Sequence, residues 1–151
     1  MKTIITNSFK ETQELGFEFA QKLKGGEVIA LHGDLGSGKT TFVQGLAEGL
    51  GIKQKIISPT FIIMRTYTIS NPQSIRQAQD GSAIHNFYHV DLYRIEGEED
   101  VEGLGLLDLF DDKENIVVVE WPEKIENLLP STRVDLYFEY VGDEEREIRF
   151  T

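Results

Sequence analysis

Cysteine is absent from this 151-residue sequence, proline occurs four times and tryptophan once. The missing cysteine excludes disulfides, thiolate metal sites and cysteine nucleophiles together, and such a chain suits a reducing cytoplasm. No run of about 18 apolar residues is present to cross a bilayer as a helix. Met1-Lys2-Thr3 leads straight into strand-like sequence, without an apolar signal core or a small-residue cleavage site. Neither membrane nor export is therefore expected. Positive charge is scarce: 15 Lys and Arg stand against 26 Asp and Glu, a net charge of −11. Nucleic acid is held first through its phosphates by Lys and Arg, so a chain this acidic should meet it only through a partner.

What is present suffices for one nucleotide-sized domain. With 40% apolar residues, positions 1–151 can bury a real core and are too few for two ordinary domains. The acid is concentrated at Glu96, Glu98, Glu99, Asp100, Glu102, Asp108, Asp111, Asp112 and Glu114, against the single base Lys113. Such a run reads as a solvated helix face or as a docking surface for a basic partner.

Ile4-Ile5 is a candidate edge strand. Ser8-Phe9-Lys10-Glu11 has capping-box spacing and predicts a helix to about Leu23, where Lys24-Gly25-Gly26 breaks it. Val28-Ile29-Ala30-Leu31 is a continuous apolar run, as expected of a strand buried on both faces. From Thr40 the apolar positions Val43, Leu46, Ala47 and Leu50 keep helical spacing and stop at Gly51. Extended segments are expected at 55–57 and 61–67, a polar loop at 71–83, and strands at 87–90 and 116–119, each followed by a carboxylate. Residues 98–110 suit a helix weakened by Gly103 and Gly105. Alternation of Val134, Leu136, Phe138 and Tyr140 with polar neighbours, then a turn into 146–150, predicts a C-terminal antiparallel pair. The resulting class is α/β: a P-loop NTPase-like fold with a mixed, mainly parallel sheet flanked by helices.

Gly33-Asp34-Leu35-Gly36-Ser37-Gly38-Lys39-Thr40 fits G-x-x-x-x-G-K-[ST] at every fixed position, between the strand and helix the motif requires. Glycine lets such a loop curl so that successive N–H groups point at phosphate oxygens, and the helix start adds its positive dipole end. Leu35, Gly36, Ser37, Gly38, Lys39 and Thr40 should line the phosphates. Lys39, taken as a surface group, should reach the β- and γ-phosphates, and the Thr40 hydroxyl should bind Mg²⁺. A carboxylate near the metal is also needed. Asp91 follows Phe87-Tyr88-His89-Val90, and Glu120 follows the more apolar Ile116-Val117-Val118-Val119. Glu120 is favoured as metal or metal-water partner with Asp91 beside it; each alone is also what an ordinary strand end carries. In Ser58-Pro59-Thr60-Phe61 the Thr60 hydroxyl is a candidate for the γ-phosphate, or the segment is a plain turn. Trp121-Pro122 puts an aromatic and a rigid bend beside the metal, where Trp121 is either a reporter of phosphate or core. His89 and Arg94 flank Asp91, His32 reads as structural, and His85 as a loop residue. No clear arginine finger stands near these groups.

Taken together, Gly33 through Thr41, Ser58-Pro59-Thr60-Phe61, His89-Val90-Asp91-Leu92-Tyr93-Arg94 and Glu120-Trp121-Pro122-Glu123 resemble the bacterial TsaE family, also called YjeE, in family order and over nearly the whole chain. The resemblance implies an ATPase that works with the TsaD and TsaB proteins to form threonylcarbamoyladenosine beside the anticodon of tRNAs reading codons that begin with A. It also implies that Lys39, Thr40 and Thr41 serve phosphate and Mg²⁺, that 58–61 is a switch I-like segment, and that Glu120-Trp121 is a switch II-like one. By similarity Phe9 and Arg146 fall where nucleotide contacts are expected. The polar stretch 68–84 is longer than the family pattern. Two rivals stand beside this reading. A small-molecule kinase would need a lid of clustered arginines, and only Arg65, Arg76 and Arg94 lie mid-chain; a regulatory module would use nucleotide to control docking. A GTPase would carry an Asn-Lys-x-Asp block, which is absent.

Overall fold

The computed structural model describes residues 1–60, 62–69 and 84–151; Phe61 and the expected loop at 71–83 lie outside the described residues. Strand β1 (Lys2–Thr6) leads into helix α1 (Phe9–Ala20), then β2 (Val28–His32), α2 (Lys39–Gly49), β3 (Met64–Thr68) and β4 (Asn86–Asp91). A 3-10 segment, Glu98–Leu104, precedes α3 (Leu106–Phe110) and β5 (Asn115–Glu120). A second 3-10 segment, Pro122–Leu128, precedes β6 (Val134–Tyr140) and β7 (Arg146–Phe150). The described strands form one sheet in the order β1-β7-β6-β2-β5-β4-β3. The central pairings β6/β2, β2/β5 and β5/β4 are parallel, whereas β1/β7, β7/β6 and β4/β3 at the margins are antiparallel. The parallel strands β6, β2, β5 and β4 thus form the middle of the sheet, and β6 and β4 each pair in both styles.

Local chemistry explains the element ends. Ser8 Oγ accepts the Glu11 N–H at 3.1 Å, while the Glu11 carboxylate reaches past it to the Asn7 N–H at 2.7 Å. The expected cap is therefore present, with its return bond one residue earlier. Helix α1 ends at Ala20 and the turn tightens, Lys22 and Leu23 donating to carbonyls three residues back, so the helical path still reaches Leu23. Gly105, with φ +67°, divides the predicted 98–110 helix into the 3-10 segment and α3. Residues 55–57 pair in no strand and cross the surface as coil, with Ile56 tucked inward.

Both faces of the sheet are covered. Ile29, Leu31, Ile116, Val118 and Leu136 face α1 and α2, where they meet Phe42, Val43 and Leu46. Val28, Val117 and Val119 face α3 and the second 3-10 segment, against Leu106, Phe110 and Ile125. Helices α1 and α2 cross at near backbone contact: a Cβ on Gly45 would overlap the Gln13 carbonyl, and one on Gly16 the Phe42 carbonyl. Period-two alternation then fixes what the strand ends present. Phe87 and Ile116 lie on the α2 face, so His89, Asp91 and Glu120 emerge on that face too, at the carboxyl ends of β4 and β5. In open α/β sheets that edge is where ligands bind.

Candidate nucleotide-binding site

Between β2 and α2 the loop turns through Gly33, Gly36 and Gly38, all at positive φ, with Gly38 (φ +105°) capping α2. Side chains could not follow that path. A Cβ on Gly33 would stand 2.6 Å from Ser37 Oγ and 2.8 Å from the Phe138 carbonyl. Ser37 is buried, and its Oγ has no hydrogen-bond partner. The loop is braced from the C-terminal strands: Tyr140 donates its hydroxyl to the Leu35 carbonyl at 3.0 Å, and Arg146 Nη2 donates to the Gly36 carbonyl at 3.2 Å.

The loop rims a cavity of about 310 Å³ lined by Phe9, Leu35, Gly36, Gly38, Lys39, Thr40, Thr41, Ser58, Thr60, Asp91, Glu120, Trp121 and Arg146. Every candidate site residue except Ser37 lines it, and Ser37 lies beneath the loop. A larger hollow of about 410 Å³ sits along α1 and α2, lined by Lys10, Gln13, Glu14, Phe17, Glu18 and Glu48. Its glutamates would repel an anion, and it has no loop of free N–H groups.

Lys39 departs from expectation. It is 4% exposed rather than a surface group; its ammonium donates to the Gly33 carbonyl and lies 4.1 Å from the Trp121 ring centroid. Burial pushes its pKa below the ordinary 10.5, against the upward pull of Glu120, Asp91, Glu123 and Asp34. The sequence hides this because the cover comes from Trp121, far along the chain. Trp121 itself is strained, at φ +59°, and its ring packs on Tyr93 with centroids 5.2 Å apart.

Asp91 and Glu120 are register partners in the parallel β4/β5 pair, so the two carboxylates stand side by side. Their partners differ. Asp91 Oδ2 accepts the hydroxyls of Thr60 at 2.8 Å and Ser58 at 3.2 Å, and Oδ1 accepts the Tyr93 N–H at 3.0 Å. Asp91 thereby anchors the segment at 58–60, which the sequence read as either a phosphate contact or a plain turn. Just beyond, Ile63 has φ +70°, a rare state for a β-branched residue, and its carbonyl accepts the Asp91 N–H at 2.7 Å. Glu120 Oε2 instead lies 2.6 Å from His89 Nε2, both side chains being buried. Sequence reasoning assigned His89 no role; its period-two spacing from Asp91, on the face of Glu120, was the available signal. Arg146 stands at the loop, where the resemblance placed a nucleotide contact, with its donors turned to backbone carbonyls. Its Nη1 donates to the Gly142, Asp143 and Glu145 carbonyls, and its guanidinium lies 5.6 Å from the Phe9 ring centroid and 4.4 Å from that of Tyr140.

The donor set fits a phosphate chain and a hard cation. The loop admits no Cβ at Gly33, which keeps its turn tight, and Thr40, Asp91 and Glu120 at the cavity offer the oxygen ligands that Mg²⁺ prefers. Among the described residues no group of three or more His, Asp or Glu could hold a metal ion.

Outside the site, eight of the nine acids at 96–114 are exposed, Glu98 being the exception. Asp100 and Asp112 accept local N–H groups, of Glu96 and Glu114, and Glu98 accepts the Asn127 N–H from the second 3-10 segment. Among the described residues no helix is long and apolar enough to cross a membrane.

A family model described as "Threonylcarbamoyl adenosine biosynthesis protein TsaE" matches residues 6–148. Proteins named "tRNA threonylcarbamoyladenosine biosynthesis protein TsaE" are similar over most of the chain. The Bacillus subtilis protein is 42% identical over 94% of this chain and 80% of its own length. The Nostoc protein is 36% identical over 100% and 86%, and that of Rickettsia felis 33% over 95% and 75%. The crystal structure of Bacillus subtilis YdiB superposes with a TM-score of 0.73 at 35% identity, covering 99% of this chain and 83% of that one.

Proposed function

This chain belongs to the TsaE family, and on that premise we propose that it is a Mg²⁺-dependent ATPase, slow alone, that works with TsaD and TsaB in forming threonylcarbamoyladenosine next to the anticodon of tRNAs reading ANN codons. The observation that carries the ATPase reading is the gathering of the loop, both carboxylates, Ser58, Thr60, Trp121, Phe9 and Arg146 around one cavity.

In this reading the N–H groups of residues 35–41 and the start of α2 receive the phosphates. Lys39 neutralises the β- and γ-phosphate charge from a site largely stripped of water, where its attraction is stronger than at a surface. Thr40 and Glu120 would hold Mg²⁺, which when bound would offset phosphate charge. Asp91 keeps the hydroxyls of Ser58 and Thr60 at the cavity wall, from which Thr60 would turn its hydrogen from Asp91 to the γ-phosphate of a bound nucleotide. Lys39, Thr60, Asp91 and Glu120 are thus the catalytic set, while Phe9 and Arg146 receive the rest of the nucleotide. Residues 1–151 act as one nucleotide-binding unit in the cytoplasm. The net charge of −11 favours contact with tRNA only through TsaD and TsaB.

ATP turnover by the protein alone, by TsaD with TsaB, and by the mixture tests this, with Lys39→Ala as control. Slow turnover alone that rises on mixing, and is lost in the control, supports the reading. Full-rate turnover alone with no change on mixing defeats partner dependence. Phosphoryl transfer to a small acceptor would replace the ATPase by a kinase.

A further inference from the structure

His89 is fully buried beside Glu120, and three observations define its state. Its Nε2 lies 2.6 Å from Glu120 Oε2, and a carboxylate oxygen can only accept, so Nε2 carries a hydrogen and donates it, and in the neutral ring Nδ1 is then an acceptor. That Nδ1 is buried and has no partner. Arg65 is directly opposite His89 in the antiparallel β3/β4 register, so both side chains rise from the same face, and Arg65 Nε, a donor, is likewise buried and unpartnered. In the neutral ring, an acceptor short of a donor thus shares a sheet face and a register position with a donor short of an acceptor, among the described residues.

We propose that His89 is a positioning residue for the reaction, holding the Glu120 carboxylate at the cavity wall through Nε2–H while Arg65, across the β3/β4 pair, keeps the ring in that tautomer through Nδ1. This extends the role given to Glu120 above and rests on it. A histidine with one nitrogen on a working carboxylate is oriented by what its other nitrogen meets, and loss of such outer partners typically costs about 10–100-fold in activity or metal affinity. The sheet supplies the orienting group here from a neighbouring strand, 24 positions earlier in the chain.

The first test reads the ring nitrogens and needs no turnover. The chain has three histidines, so ¹⁵N-labelled imidazole signals are assignable by their loss in His89→Gln. Wild-type protein should show His89 wholly as the Nε2–H tautomer, and Arg65→Met should bring in the Nδ1–H form. Wild-type His89 as Nδ1–H, or a tautomer indifferent to Arg65→Met, overturns the proposal. The second test is single-turnover hydrolysis. His89→Leu should slow it by about 10–100-fold, with ATP affinity unchanged by Trp121 fluorescence, and His89→Gln, which restores an N–H donor, should recover most of the rate. Equal rates in the Leu and Gln variants, each folded by thermal melting, overturn the proposal as well. Loss of the larger reading has a different signature: wild type without hydrolysis, or Glu120→Gln at the wild-type rate, with the tautomer result still standing.

Discussion

Replacing Lys39 by methionine should stabilise the nucleotide-free protein and at the same time cripple its ligand binding. The side chain is 4% exposed, and burial lowers its pKa from 10.5 although Glu120, Asp91, Glu123 and Asp34 all pull it upward. The net direction already contains those attractions, so the charged form is worse off in the folded chain than in the unfolded one. Below the lowered pKa this penalty is constant. Between that value and 10.5 the unfolded chain binds a proton the folded chain has lost, so stability rises with pH, and above 10.5 the penalty is gone. Methionine keeps the packed stem without the charge. The variant should therefore melt at a higher temperature than wild type at pH 7, each kcal/mol of penalty removed being worth about 2–4 °C in a chain of this size. The same change removes a charge-assisted phosphate contact worth about 1.5–3 kcal/mol, weakening ATP by ~10–150-fold. Denaturant unfolding from pH 7 to 10.5 in metal- and nucleotide-free buffer, with ATP titration alongside, measures both effects. A methionine variant less stable than wild type at neutral pH, or a gap that does not shrink as pH rises, refutes the burial argument.

Glu120→Gln should leave ATP binding largely in place and cut single-turnover hydrolysis, with a smaller loss in Asp91→Asn because Asp91 is occupied with Ser58, Thr60 and the Tyr93 N–H; the reverse ranking would make Asp91 the principal carboxylate. Gly45→Ala should destabilise by about 1–3 kcal/mol, read as a lower unfolding midpoint, because its Cβ meets the Gln13 backbone and not a side chain that can swing away. An unchanged midpoint would mean that α1 and α2 can separate at no cost. Stimulation by TsaD and TsaB should fall as salt rises if the exposed acids at 96–114 form the docking face, and salt-independent stimulation would move docking elsewhere.

Much of the site was legible in the sequence because its chemistry is local. The phosphate loop needs glycines at fixed spacing and a strand and helix around them, and all of these are consecutive residues. Asp91 and Glu120 were legible because a carboxylate closing an apolar run marks a strand end. What escaped depends on register between strands distant in sequence. His89 meets Glu120 because β4 lies beside β5, and Arg65 lies opposite His89 because β3 runs antiparallel to β4. Period-two spacing puts His89 on the face of Asp91, but neither pairing across strands has a local signal. The burial of Lys39 follows from the left-handed turn at Trp121, which a tryptophan rarely adopts and no composition rule predicts. Likewise the split of the 98–110 helix required knowing that Gly105 takes a positive φ, where spacing alone said only that glycine weakens a helix.

A crystal structure with Mg²⁺ and a non-hydrolysable ATP analogue tests the central claim most directly. The account predicts the triphosphate in the cradle of residues 35–41, the ammonium of Lys39 on the β- and γ-phosphates, Thr40 and Glu120 at the metal, and the remainder of the nucleotide beside Phe9 and Arg146. Nucleotide seated instead in the hollow between α1 and α2, or a metal held without either Thr40 or Glu120, would contradict it.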